Sequence, residues 1–444
     1  MNRRLPRTAK WIDELGSSFW FVPGVLMLLG AGLAALAVQG DQQNWLSADL
    51  FPSWIRLGNA EAARTVLTTV AGSTITIVSL AFSITIVALT LASSQFGSRL
   101  LYSFMRDRST QVVLGVLLGT FVYCLVALST VRSSDAFLVP QLATTLGIVL
   151  GLSNVVVLIY FLHDAAESMQ ASAVIARVRR DLSAVMRRML PKRGEEAAEA
   201  WEDPPQGPGI ALHAVSSGVL QGLDEEALVG AARRADVTLV MERRPGDHLI
   251  EGMVIARAHT EESIDDEQVA KLGAAVCEAL LLGTRRTLVQ DIEFAFCQLV
   301  EIAVRALSPG VNDPFTAIAC IETLGSALAE AARRGPMPRR RIDGQGRVRV
   351  FLDVTDFEGF VDTAFNQIRQ QGASDPSVML ALLETLGHVT TVVERDAERA
   401  VLLRHARLAF AQAAAQAPTD AERDALRQRF HIVKAAAQPE SPEL

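Results

Sequence analysis

Four long apolar stretches in the first 162 residues constrain this chain more than any other feature. Ser17 to Val38, Thr65 to Leu91, Gln111 to Val131 and Val139 to Leu162 carry no Asp, Glu, Lys or Arg in their interiors. About 20 helical residues cross the roughly 30 Å of bilayer hydrocarbon. In lipid the backbone must satisfy its own hydrogen bonds, so these stretches predict four transmembrane helices. No comparable stretch is expected after Leu162, and the remainder is expected to fold in water. The first stretch, although preceded by Arg3 and Arg4 and ending near Ala35-Leu36-Ala37, exceeds the roughly 7–15 apolar residues of a signal peptide. It reads as an uncleaved anchor.

Basic residues in the short flanks set the expected orientation. Arg3, Arg4, Arg7 and Lys10 precede the first span, Arg99, Arg106 and Arg108 separate the second from the third, and Arg177, Arg179, Arg180, Arg187 and Arg188 follow the fourth. The expectation is a multi-pass protein of the bacterial inner membrane with both termini cytoplasmic.

The second stretch carries Thr65, Thr69, Gly72, Thr76, Ser79, Ser83, Thr90 and Ser94 at the helical period, with Val87 as the apolar member of the series. Lipid offers a hydroxyl nothing, so this face is expected either to line a water-filled path or to pack tightly on another helix. Asn154, in the middle of the fourth stretch, is a further pore-lining candidate, or else an interhelical hydrogen-bonding group. Gly115-x-x-x-Gly119 and Gly147-x-x-x-Gly151 have the spacing that lets helices approach closely.

The formal net charge of -7 argues against nucleic acid as a partner. Cys124, Cys277, Cys297 and Cys320 show no C-x-x-C spacing, and the histidines are scattered, each expected at the surface. No metal site, cofactor or catalytic residue is expected, because phosphate-loop, nucleophile-elbow, zinc-protease and dinucleotide signatures are missing.

Beyond the membrane region (1–165), a stalk helix and Pro-rich linker (166–209) lead to a small β-rich module (210–262). Val237 to Met241 reads as a strand, Arg244-Pro245-Gly246-Asp247 as a turn, Leu249-Ile250 as a short strand, Glu251-Gly252 as a second turn and Met253 to Ala256 as another strand. Pro245-Gly246-Asp247 with Gly252 looks like the half-motif of the barrel-sandwich fold of biotinyl and lipoyl carriers. No lysine lies between Lys192 and Lys271, so carrier chemistry is excluded.

Residues 263–437 are expected to be helical and contain a repeat, with 438–444 as a disordered tail. Asn312-Asp313-Pro314 precedes Glu322-Thr323-Leu324-Gly325 at the same spacing as Ser374-Asp375-Pro376 precedes Glu384-Thr385-Leu386-Gly387. Asp before Pro suits an N-cap with Pro at the first helical position, so the unit is a helical hairpin used twice. In the first copy Ser308, Asn312, Asp313 and Thr316, with Glu301 or Glu322, are candidate ligands for a small polar molecule. The repetition itself favours a capping role.

The chain resembles the bacterial family of predicted membrane proteins known as domain of unknown function 2254. The resemblance rests on Ser18-Phe19-Trp20-Phe21-Val22-Pro23, Phe82-Ser83-Ile84-Thr85, Leu91-Ala92-Ser93-Ser94-Gln95-Phe96 and Phe104-Met105-Arg106-Asp107. It continues through the Pro245-Gly246-Asp247 turn, Arg305-Ala306-Leu307-Ser308-Pro309-Gly310, Asn312-Asp313-Pro314-Phe315-Thr316-Ala317 and Phe365-Asn366-Gln367-Ile368-Arg369. Gln371 stands where relatives are expected to carry an aromatic residue. The resemblance implies an integral inner-membrane protein and carries no activity. The full expectation is a membrane α-helical protein with a cytoplasmic α+β region, acting as a homo-oligomeric ion channel or passive transporter. Its alternative is a membrane-anchored sensor or scaffold.

Overall fold

The computed structural model describes residues 20–43, 45, 60–96, 108–131, 140–191 and 203–438. The basic flanks at 3–10 and 99–106, the loops 46–59 and 132–138, most of the linker (192–202) and the tail 439–444 lie outside the described residues. The chain divides after Gln170 into two units.

The first unit contains α1 (Phe21–Gln42), α2 (Ala60–Phe96), α3 (Arg108–Thr130) and α4 (Gln141–Ser168), all long and apolar enough to cross a membrane. Both glycine pairs sit where helices touch. Gly119 lies against the Leu26 carbonyl and Gly115 against Pro23 and Leu26 of α1, while Gly147 and Gly151 receive Leu67 and Val70 of α2. A methyl group at any of these positions would collide with its neighbour, so the missing side chains set the interhelical distance. Ala63, Leu67, Ala71, Thr74, Val78 and Ala81 form the buried seam of α2, and Leu114, Leu117 and Tyr123 that of α3.

The second unit begins with α5 (Ala171–Met189), separated from α4 by Met169 and Gln170 rather than continuous with it. Its buried face, Val174, Ile175, Val178, Leu182, Val185 and Met186, follows the helical period and packs on α8 (Ile292–Ala306) and α9 (Pro314–Arg334). Strands β1 (Ile210–His213), β2 (Gly218–Leu223), β3 (Thr238–Met241), β4 (His248–Leu249), β5 (Val254–His259), β6 (Leu280–Gly283), β7 (Arg340–Ile342) and β8 (Val348–Phe351) make two small sheets. One runs β1-β5-β3-β8-β7 and the other β4-β2-β6. Their neighbours are antiparallel except β3 and β8, which pair in parallel through Leu239 and Val350. Helices α6 (Glu225–Arg234) and α7 (Asp266–Glu278) complete a core around Leu220, Leu228, Leu239, Ile255 and Val276.

Side chains of Asp224, Asp265, Asp291 and Asp313 cap α6 to α9. The same device opens α10 (Phe357–Gln371) with Asp356 and α11 (Pro376–Val392) with Asp375. Helices α12 (Asp396–Gln416) and α13 (Asp420–Ala437) follow, the second opened by the Thr419 and Glu422 capping box. The two copies of the repeat pack like helix on like. Phe296 of α8 stacks on Phe360 of α10 at 5.5 Å, and Gly325 of α9 receives Thr385 of α11. Gly325 therefore serves close packing inside a helix that runs on to Arg334.

One expectation is corrected here. By length and composition α9 is a fifth helix apolar enough to span a membrane. Its Ala317, Cys320, Ile321, Leu324 and Leu328 are buried against neighbouring helices, while Glu322, Glu330, Arg333 and Arg334 interrupt the other faces. Amphipathic packing inside a helical layer raises its apolarity without removing its charges.

Candidate functional site

On α2 the hydroxyl series lies opposite the buried seam. Residues two apart on a helix point about 200° apart. Thr74 is buried and Thr76 exposed, Leu67 buried and Thr69 exposed, Ala81 buried and Ser83 exposed. Thr65, Gly72, Ser79, Thr90 and Ser94 are exposed as well, so the described residues leave the stripe uncovered. Its hydroxyls donate along their own helix: Thr65 to the Glu61 carbonyl (2.9 Å), Thr69 to Thr65 (2.8 Å), Thr76 to Gly72 (3.0 Å) and Ser79 to Ile75 (2.9 Å). Ser83 donates to the Ser79 carbonyl (2.9 Å), Thr90 to Ile86 (2.8 Å) and Ser94 to Leu91 (2.9 Å). With the protons turned to the backbone, the stripe shows oxygen lone pairs outward.

Asn154 does not join this stripe. It is 1% exposed, donates its amide to the Thr74 hydroxyl at 3.0 Å and accepts the Thr120 hydroxyl at 3.3 Å. The trio ties α2, α3 and α4 together on the seam side, where an amide in an apolar interior needs such partners.

In the first hairpin tip, the candidate ligands are spent on local structure. Asp313 caps α9 through the Thr316 N–H at 3.1 Å and accepts the Thr316 hydroxyl at 2.5 Å, and Ser308 donates to the Arg305 carbonyl at 2.7 Å. Asn312 supplies the left-handed residue of the turn, with φ of 50°. Glu301 is half-buried on α8, and Glu322 is exposed on α9. Asp375 repeats the capping in the second hairpin through Ser377 and Val378.

A different place in the second unit gathers charge around a small cleft, open to solvent, with a cavity volume of about 50 Å³. Arg244 and Pro245, which enter the Pro245-Gly246-Asp247 turn, line one side, and Met189, Leu223, Ile292, Leu352 and Phe360 give it an apolar lining. Asp291, 3% exposed and capping α8, takes both Nε and Nη2 of Arg286 at 2.7 and 2.9 Å. Burial works against the Arg286 charge, but Asp291, with Cys297 and Glu293, more than offsets it and holds the guanidinium above its ordinary range. Glu293 accepts from Arg244 at 3.2 Å and from the Thr355 hydroxyl at 2.9 Å, and Arg341 grips Glu225 at 2.6 and 2.9 Å. Gly246, at φ 106°, presses against the Arg286 and Asp291 pair. The turn was visible in the sequence; its partners, 40 or more residues away, were not. Polar groups converge here over an apolar floor, the composition though not the size of a small-molecule site.

Polar chemistry is also buried between α10 and α12. His405, expected at the surface, is 1% exposed, and its Nε2 lies 2.9 Å from Asp362. Arg369, 8% exposed, reaches Gln412 and Asn366. Burial lowers the proton affinity of both, with Asp362 opposing it. Among the described residues, no group of three or more His, Cys, Asp or Glu side chains is arranged to hold a metal ion.

The family described as "Predicted membrane protein (DUF2254)" matches residues 16–388. The uncharacterized protein Rv1290c of Mycobacterium tuberculosis is 32% identical over 394 residues, covering 87% of this chain and 74% of its own length. The uncharacterized protein Mb1321c of Mycobacterium bovis matches to the same extent. No solved structure matches.

Proposed function

Since the chain belongs to the DUF2254 family of predicted membrane proteins, we propose that it is a homo-oligomeric ion channel or passive transport protein of the bacterial inner membrane, with both termini cytoplasmic. Four spans, α1 to α4, anchor it, and the second unit senses a ligand or assembles the oligomer. The observation that carries this reading is the exposed hydroxyl face of α2, opposite the helix's own packing seam. Copies brought together along that face would enclose a path lined by oxygen lone pairs, which replace part of a cation's hydration shell better than an anion's. No enzymatic activity is assigned.

The test is flux through purified protein in sealed liposomes, with Ser83→Leu and Thr76→Leu as variants. Discrete cation currents abolished by either variant, in protein that still assembles, support the path. Equal flux in parent and variants removes it. A second reading, a membrane-anchored sensor or scaffold, draws on the cleft beside Gly246. It expects electrically silent protein, and a small ligand whose binding is lost when Arg244 is replaced.

A further inference from the structure

The loop between α8 and α9, with the first turn of α9, exposes apolar surface that the capping role of Asp313 does not require. Phe315 is 85% exposed and Val311 47%. The second hairpin makes the same Asp-Pro cap with the polar Ser377 at the position of Phe315, so the cap works without an aromatic ring.

Contacts along α5 show which end of the unit this tip occupies. At the C-terminal end of α5, Arg188 donates to the Leu288 carbonyl at 2.6 Å, just before α8 begins. Arg334, at the end of α9, donates to the Pro191 carbonyl at 3.4 Å, and Ser183 donates to Glu330 at 3.2 Å. Helix α5 therefore runs antiparallel to α8 and parallel to α9. With 19 residues in α5 and 21 in α9, the two are roughly 28 and 31 Å long, so the start of α5 lies level with the start of α9. That is the end at which the chain arrives from α4, after only Met169 and Gln170. Helix α5 also carries Arg177, Arg179 and Arg180 by its midpoint, beside its single carboxylate Asp181, while Arg187 and Arg188 lie in its last turn at the far end.

We propose that the Val311 and Phe315 tip docks into the interface of an anionic lipid bilayer. An aromatic anchor at the entry end, beside a basic helix, supplies the two signals that surface association with such a membrane uses: apolar insertion and attraction to negative headgroups. The proposal is independent of whether α2 lines a path.

The test uses the full chain in vesicles containing phosphatidylglycerol, with acyl chains brominated near the headgroup. Phe315→Trp adds a reporter to the five native tryptophans, and Gln345→Trp, in the exposed turn beyond the opposite end of α9, is the control. Brominated lipid should remove most of the emission added at 315 and leave that added at 345. In vesicles without anionic lipid the loss at 315 should shrink. Added emission at 315 that stays unquenched and water-like in anionic vesicles overturns the proposal. A blue-shifted signal at 315 already present in lipid-free detergent, and unquenched by bromine, overturns it too, and assigns the tip to a second copy of the chain.

Discussion

Oδ1 of Asp41, near the end of α1, accepts the backbone N–H of Leu142, at the start of α4, across 2.8 Å. Its other oxygen takes the N–H of Ala143 at 2.9 Å. One membrane-length helix thus caps another from 101 residues away, satisfying donors that α4 cannot satisfy itself. Asp41→Ala should lower stability by about 1 to 2 kcal/mol, the usual value of an N-cap, with Asp41→Asn in between. Denaturant unfolding in detergent measures this; an unchanged midpoint for the alanine variant contradicts the role.

Asn154 gives a prediction that separates packing from permeation. Asn154→Ala removes two hydrogen bonds, to Thr74 and Thr120, and interhelical bonds of this kind contribute roughly 0.6 to 2 kcal/mol each in membranes. Stability should fall by about 1 to 3 kcal/mol while any flux per assembled protein stays the same. A change of ion selectivity in this variant would instead return Asn154 to the path.

Gly246 and Gly252 provide a matched pair in successive turns of the β-rich region. Both have positive φ, 106° and 81°, but an added methyl meets Asp291 and Arg286 at the first and open space at the second. Gly252→Ala should cost about 1 kcal/mol from backbone strain alone. Gly246→Ala should cost about 2 to 4 kcal/mol, because it also displaces a buried ion pair. Thermal unfolding of the two variants side by side is the check, and equal losses would mean that the pair yields freely.

Much of this architecture is written locally in the chain, and what is not local is what the sequence hides. Uncharged runs mark α1 to α4 because lipid tolerates few alternatives, and Asp313-Pro314 and Asp375-Pro376 mark helix starts because capping involves only near neighbours. The β3 and β8 pairing joins Leu239 to Val350, and the packed turn joins Gly246 to Arg286 and Asp291. Neither leaves a periodic or spacing signal. The apolarity of α9 went unremarked for a related reason: its apolar residues, covered by α5, α8 and α11, are interspersed with charges in the sequence, and only the helix length joins them into a segment apolar enough to span. Asn154 lay between two readings in the sequence, and only its contacts with Thr74 and Thr120 show which neighbours it meets.

The buried His405 makes the stability of the α10 and α12 seam depend on pH. Burial depresses its proton affinity in the folded state, partly opposed by Asp362, with Arg404 and Arg369 adding to the depression. The unfolded chain, with an ordinary histidine near 6.5, therefore takes up the proton first. Stability from this group is complete above about pH 6.5 and is lost as the pH falls through that value toward the lower folded one. Hydrogen exchange along α12 should accelerate between pH 7.5 and 5.5 beyond the intrinsic chemical trend. In His405→Gln, which keeps a donor for Asp362 but does not titrate, that excess should vanish. An excess that persists in the variant would place the sensitivity on another group.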